Sequence, residues 1–136
     1  MSNMKVKPLP QQLKELLANK SRILSQAQVF EDIGMRETAQ PLWLAAASCE
    51  EQLAPLMENA RHASEAALHR LSAASCYAKA GHLSQAVNLC RAALSGPLPD
   101  STQQEVGTMV KQYLDELDQM NGSASTPSIL SENPGQ

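Results

Sequence analysis

The chain has 136 residues, of which 43% are hydrophobic and 18% are charged, and its formal net charge is −3 at pH 7. This length predicts one domain, and the acidic balance argues against a nucleic-acid binder, which needs a basic face to neutralise phosphates. No apolar run approaches the ~20 residues that cross a bilayer, so membrane insertion is not expected. Three cysteines without C-x-x-C spacing predict buried thiols in a reducing, cytoplasmic setting.

The polar N-terminus, which carries two prolines, predicts a flexible arm over residues 1–10. No apolar segment follows its lysines, so a secretory signal is not expected. From Leu13 onward, apolar residues recur every three to four positions, which predicts a helix that continues to Ile33. Gly34 then provides the left-handed residue at which many helices end.

A second helix is predicted to start at Thr38, whose hydroxyl can cap the first turn. Pro41 then falls in that first turn, where no intrahelical hydrogen bond is lost. Pro55 should end or kink this helix, because it removes one donor and crowds the carbonyl four residues back.

A third helix is predicted over residues 64–80, with Ser64 as its N-cap and Gly81 as its stop. A fourth is predicted over residues 83–95, with Ser84 as its N-cap. The Gly-Pro-Leu-Pro segment that follows breaks the fourth helix, so a separate element must begin after it.

The fifth helix is predicted to begin at Asp100 and to end at Asn121-Gly122. It has the most regular apolar stripe in the chain, consisting of Val106, Met109, Val110, Tyr113, Leu117 and Met120. Residues 121–136 are rich in Ser, Pro, Asn and Gly, which predicts a disordered tail. The sequence therefore predicts an all-α domain of about five helices over residues 11–120.

The first two helices and the next two are similar to each other at an offset of 47 residues. The matched pairs are Leu24/Leu71, Ala27/Ala74, Phe30/Tyr77, Gly34/Gly81, Ala39/Ala86, Leu42/Leu89, Ala45/Ala92 and Ala46/Ala93. Small residues let two helices approach closely, the aromatic residue fills the space between hairpins, and glycine reverses the chain. A single hairpin of this kind cannot bury its apolar face, so the two hairpins are expected to stack and the fifth helix to cap them.

This arrangement resembles the tetratricopeptide repeat, most closely from Ala67 to Leu94 and more weakly from Ser21 to Ala47. The places that the family uses are occupied here by Tyr77, Gly81, Ala86, Ala93 and Pro97. The family period is about 34 residues, so the longer offset implies extended hairpins, with the additional residues around Cys49 to His62. Arg70 stands where the family usually has Trp.

The resemblance implies that the first helix of each hairpin lines an inner surface that binds peptides or helices. Carried onto matching positions, that surface would include Leu24, Gln28, Glu31, Asp32, Leu71, Ser75, Ala78 and Lys79. The chaperone-binding subgroup holds a terminal carboxylate with Lys and Asn, whereas this chain has Ser75 and Gln28 there, so that function is not supported. The acidic first hairpin favours a helical or basic segment as the partner.

The histidines and cysteines suggest two alternatives to burial in the core, a metal site and a nucleophilic thiol. His62, His69 and Cys76 recur every seven residues, a rise of ~10 Å, whereas ligands to one metal ion converge within ~4 Å of one another. A nucleophilic thiol needs a nearby base, and His82 is the only local candidate for Cys76. We therefore expect no catalytic residue, no metal ligand and no cofactor site.

The sequence predicts a protein-protein interaction module, such as an adaptor, scaffold or small chaperone, and not an enzyme. The alternative is a self-associating structural module that forms a homodimer through Met109, Tyr113, Leu117 and Met120 of the fifth helix. The identity of a protein partner does not follow from the sequence.

Overall fold

The computed structural model describes the backbone of residues 8–132 and the side chains of residues 8–121. This part of the chain is all-α, which confirms the predicted fold class. Its five helices are α1 (Leu9–Asp32), α2 (Arg36–Asn59), α3 (Ala63–Lys79), α4 (Leu83–Leu94) and α5 (Asp100–Glu132). Each helix packs on the next along the chain, and the short connections make neighbouring helices antiparallel. No helix in this range is both long and apolar enough to cross a membrane.

The first three connections are the same turn. In each, one residue adopts a left-handed conformation: Gly34 at φ 83°, Arg61 at φ 66° and Gly81 at φ 87°. The next residue donates its N–H to a carbonyl five positions back, as Met35 does to Phe30 at 2.8 Å and His82 does to Tyr77 at 2.8 Å. The left-handed residue itself donates its N–H to a carbonyl three positions back, as Gly34 does to Glu31 at 3.1 Å. This pair of bonds defines the Schellman motif, which satisfies the last carbonyls of a helix.

The predicted N-caps at Thr38, Ser64 and Ser84 are wrong. The N-cap residue is Met35 in α2, three residues earlier than predicted, and His62 in α3 and His82 in α4, each two residues earlier. None of these residues makes a side-chain cap hydrogen bond. The turn itself supplies the first acceptor, because the carbonyl of the residue after the left-handed position binds the N–H four residues on. These bonds are Ala39 to Met35, Ala66 to His62 and Ala86 to His82.

The sequence predicts that Pro55 ends or kinks the second helix. The helix does not end there, because α2 contains both Pro41 and Pro55 and continues to Asn59. A proline inside a helix costs about 3 kcal/mol, so the helix needs compensating contacts. Such contacts exist because α2 packs between α1 and α3 and buries nine side chains. Pro55 lies on the exposed side, where water can reach the carbonyl that loses its partner.

Both ends of the helical region differ from the sequence prediction. Helix α1 begins at Leu9, inside the predicted arm of residues 1–10, and α5 continues to Glu132, beyond the end predicted at Asn121-Gly122. One internal glycine costs only about 1 kcal/mol relative to alanine and keeps its hydrogen bond, so it does not by itself end a helix. The flexible arm and the disordered tail stay predictions, and residues 1–7 and 133–136 lie outside the described residues.

Alanine pairs allow the consecutive helices to pack closely. Each helix that follows a Schellman turn has two alanines, seven residues apart, that are 0% exposed: Ala39 and Ala46, Ala66 and Ala73, and Ala86 and Ala93. These small side chains let the backbones of neighbouring helices approach closely. The larger core residues, among them Trp43, Leu53 and Tyr77, fill the remaining space.

Candidate partner-binding groove

An open groove of about 580 Å³ runs along α3 and is bordered by α1 and α5. Its floor includes two residues of α2, which lies between α1 and α3. The lining residues are Leu24, Trp43, Glu50, Leu68, Leu71, Ser72, Ser75, Cys76, Lys79 and Met109. The groove therefore brings together four of the five helices, and most of its exposed lining is apolar.

The spacing of residues on α3 explains why one face of that helix is open. Leu68, Ser72, Ser75 and Lys79 lie three to four residues apart, so they form one stripe along the helix. The side of α3 that faces its neighbours is occupied by fully buried alanines such as Ala73. Leu68 is 50% exposed, which leaves a large apolar side chain in contact with solvent inside the groove.

Lys79 provides the cationic group at the end of this stripe. Its ammonium group lies 4.5 Å from the centroid of the Trp43 ring, a cation–π contact. Among the described residues, no carboxylate oxygen lies within 4.0 Å of the Lys79 ammonium. Lys79 thus borders the groove as an exposed cation that has an aromatic neighbour and, within the described part of the chain, no anionic one.

Glu31 is already engaged at the junction of α1 and α2. Its Oε1 accepts a hydrogen bond of 3.0 Å from the indole N–H of Trp43, and its Oε2 lies 3.4 Å from Nε of Arg36. These two contacts balance the carboxylate charge within the chain. Glu31 therefore offers little uncompensated charge to a partner.

Glu50 is the one buried charged residue in the described part of the chain and is 1% exposed. Its Oε1 lies 2.7 Å from Nδ1 of His69, and its Oε2 lies 3.6 Å from Nζ of Lys20. A buried carboxylate is tolerated only when it is paired and hydrogen-bonded. This network ties α1, α2 and α3 together beneath the groove.

The structure brings half of the predicted binding residues into the groove. Leu24, Leu71, Ser75 and Lys79 line it, whereas Gln28, Glu31, Asp32 and Ala78 do not. Gln28 donates to Asp32 at 2.9 Å on the exposed side of α1, and Ala78 packs against the core. Their role in binding stays a prediction.

Sequence reasoning missed Leu68, Ser72 and Met109 as groove residues. Leu68 and Ser72 precede Leu71 and Ser75 by three residues, so the helical period on α3 carries the signal that could have identified them. Nothing local places Met109 near α3, because that contact depends on how α5 crosses the array.

The cysteines are buried thiols. Cys49, Cys76 and Cys90 are unpaired, and burial raises the pKa of Cys76 from 9.0 to about 11. Nδ1 of His82, the only base considered for Cys76, lies 2.9 Å from Gln85 Oε1. A thiol that stays protonated at neutral pH is a poor nucleophile.

Among the described residues, no three His, Cys, Asp or Glu side chains are grouped closely enough to hold a metal ion.

The apolar stripe of α5 is largely used within the chain. Tyr113 is 8% exposed, and Met109 and Leu117 pack against the core. Only Met120, at 54% exposure, remains open among the four residues considered for a homodimer. This distribution leaves little apolar area on the stripe for a second copy.

A scan against models of protein families, a search of curated proteins and a search of solved structures each return no match to this chain.

Proposed function

We propose that the chain is a protein-protein interaction module that binds an amphipathic α-helix of a partner protein in the groove along α3. The observation that carries this proposal is the apolar groove itself, with Leu68 half exposed at one end of it. Large apolar side chains that remain exposed in a concave surface are typical of sites that another molecule covers. Such a module would serve as an adaptor, scaffold or small chaperone.

The chemistry of the wall favours a helix over an extended peptide. An extended segment needs hydrogen bonds for its backbone N–H and C=O groups, and leaving them unpaired in an apolar site is costly. The groove offers few polar groups for such bonds, chiefly the hydroxyls of Ser72 and Ser75 and the ammonium group of Lys79. A helix satisfies its own backbone and presents apolar side chains at i, i+3 or i+4, and i+7, which suits this surface.

The length of the groove fits the same partner. Leu68 and Lys79 mark its extent along α3, a rise of roughly 16 Å for eleven residues at 1.5 Å each. A partner helix of about three turns covers this distance. The groove volume accommodates several aliphatic side chains, so the partner helix would rest on the groove with its apolar stripe inserted.

The resemblance to the tetratricopeptide repeat is a second part of this proposal. It is supported by the three equivalent turns, by the alanine pairs after each turn, and by a groove that runs along α3 and is bordered by α1 and α5. The three unpaired cysteines support a reducing compartment such as the cytoplasm.

Photo-crosslinking tests the proposal. A photoreactive amino acid is placed at position 68, inside the groove, or at position 29, where Val29 is 56% exposed outside it. In cells that produce the full chain, we expect position 68 to cross-link to a partner segment with apolar residues at helical spacing, and position 29 not to do so. Leu68→Asp should abolish retention of that partner, whereas Val29→Asp should preserve it.

Two results would contradict the proposal. Cross-linking to the same segments from both positions would show that the groove is not the binding surface. Cross-links from position 68 to a second copy of the chain would favour the homodimer instead, and sedimentation of the purified protein would then show a dimer.

A further inference from the structure

We infer that the partner helix carries an acidic side chain beside its apolar stripe, and that this acid pairs with Lys79. The inference rests on the proposed function, because it specifies the chemistry of a ligand for the same groove. It does not follow from apolar complementarity alone, which would accept a neutral, acidic or basic helix equally.

The first argument is the charge pattern around the groove. The carboxylate of Glu50 is paired with Lys20 and His69, and that of Glu31 is bonded by Arg36 and Trp43. Among the described residues that line the groove, Lys79 is the cation that has no carboxylate within ion-pair distance. The uncompensated charge of the groove is therefore positive.

The second argument is what a bound helix does to Lys79. A helix that covers the stripe from Leu68 to Lys79 removes water from the ammonium group. A charge that loses water without gaining a partner is strongly unfavourable, and the ring of Trp43 offsets only part of this cost. A carboxylate on the partner supplies the missing counter-charge and also disfavours basic segments.

This chemistry differs from the sequence prediction, in which the acidic first hairpin favoured a helical or basic segment as the partner. Glu31 is paired with Arg36 within the chain, and Asp32 accepts a hydrogen bond from Gln28 away from the groove lining. The charge of the groove is therefore set by Lys79 and not by the acidic residues of α1.

Three synthetic helical peptides of about three to four turns provide the test. Each carries leucines at i, i+4 and i+7, and they differ only in having Glu, Gln or Lys just beyond both ends of that stripe, so either orientation presents the group to Lys79. Each peptide is labelled, and its affinity for the full chain is measured by fluorescence anisotropy at low and high salt.

We expect the Glu peptide to bind about threefold to fivefold more tightly than the Gln peptide, and the Lys peptide to bind more weakly than either. High salt should reduce the difference. Lys79→Gln should abolish the preference, while Lys79→Arg should retain it. Lys111→Gln, which removes an exposed charge outside the groove lining, is the matched control and should also retain it.

The two proposals fail in different ways. Equal affinity for the Glu and Gln peptides, or a preference that survives Lys79→Gln, overturns the acidic partner. If Leu68→Asp still weakens all three peptides in that case, the helix-binding groove is retained. If none of the peptides binds the wild-type chain, or if Leu68→Asp changes nothing, both proposals are contradicted.

Discussion

Glu50 on α2 and His69 on α3 are joined by a contact of 2.7 Å between Oε1 and Nδ1, in a place where the Glu50 side chain is 2% exposed. The second oxygen of the same carboxylate lies 3.6 Å from Nζ of Lys20 on α1. The Glu50 carboxylate therefore contacts one side chain from each of the two helices that flank α2. The array depends on this group, because removing it leaves two polar side chains without their counterpart.

Glu50→Ala should lower the free energy of unfolding by about 2–4 kcal/mol, since it removes a buried pairing and leaves His69 and Lys20 in a poorly hydrated site. Urea denaturation followed by circular dichroism measures the change. Glu58→Ala is the matched control, because Glu58 also joins α2 to α3, through Arg70 at 2.9 Å, but its side chain is 48% exposed. The control should leave stability nearly unchanged, and an equal loss in both variants would contradict the role assigned to Glu50.

Arg61→Gly should raise the free energy of unfolding by about 0.5–1 kcal/mol. Arg61 is a non-glycine residue at φ 66°, and glycine removes the steric cost of that conformation, less the entropy of the more flexible unfolded chain. Thermal and urea denaturation measure the gain.

Gly81→Ala is the opposite variant at the equivalent turn. An added Cβ would meet Nε2 of Gln40 at 3.8 Å, an ordinary contact, so the expected loss comes only from the backbone at φ +87°. That loss should be about 0.5–1 kcal/mol. A destabilised Arg61→Gly together with a neutral Gly81→Ala would show that the two turns are not equivalent.

Ala93→Leu should destabilise the protein by about 1–3 kcal/mol, because Ala93 is 0% exposed and has no room for a larger side chain. Ala92→Leu, at the adjacent and exposed position of α4, makes the same chemical change without burial. The comparison separates overpacking from helix propensity, which is similar for the two sites. Equal stability of the two variants in urea denaturation would argue against close packing at the alanine positions.

Stability should fall as the pH rises from about 9 to about 11. Burial raises the pKa of Cys76 from 9.0 to about 11, so the unfolded chain loses this proton at a lower pH than the folded chain does. The contribution from the neutral thiol is fully present below pH 9 and is lost as the pH passes through the folded-state pKa. Tyr77, whose pKa burial raises from 10.0 to about 12, adds a similar loss at higher pH.

Cys76→Ala tests this assignment, because it removes one of the groups whose pKa burial raises and leaves the others, namely Tyr77, Cys49, Cys90 and Tyr113. We expect the variant to be less stable than the wild type at pH 8, owing to lost packing, but to lose less additional stability between pH 9 and pH 11. Urea denaturation at several pH values measures both effects. Parallel pH profiles for the two proteins would exclude Cys76 as the group responsible.

Much of the helical layout could be predicted because its signals are local. The end of α3 and the limits of α4 were predicted within one residue, since the apolar spacing and Gly81 both lie within the segment concerned. The turn at Arg61 was not predicted, because an arginine gives no sign that its backbone will become left-handed. The conformation there is selected by the packing of α2 against α3, which arginine tolerates at a cost.

The charge of the candidate site likewise depends partly on the local sequence and partly on the tertiary structure. The sequence by itself determined that the chain forms helices with small residues at their contact faces, because periodicity and side-chain size act over a few residues. Only the tertiary structure decided that Glu31 is bonded to Trp43 and Arg36 and that Glu50 is buried with His69 and Lys20. It also decided that no carboxylate of the described residues lies within ion-pair distance of Lys79. Charges are assigned to partners across helices, and that assignment depends on distances that no local pattern contains.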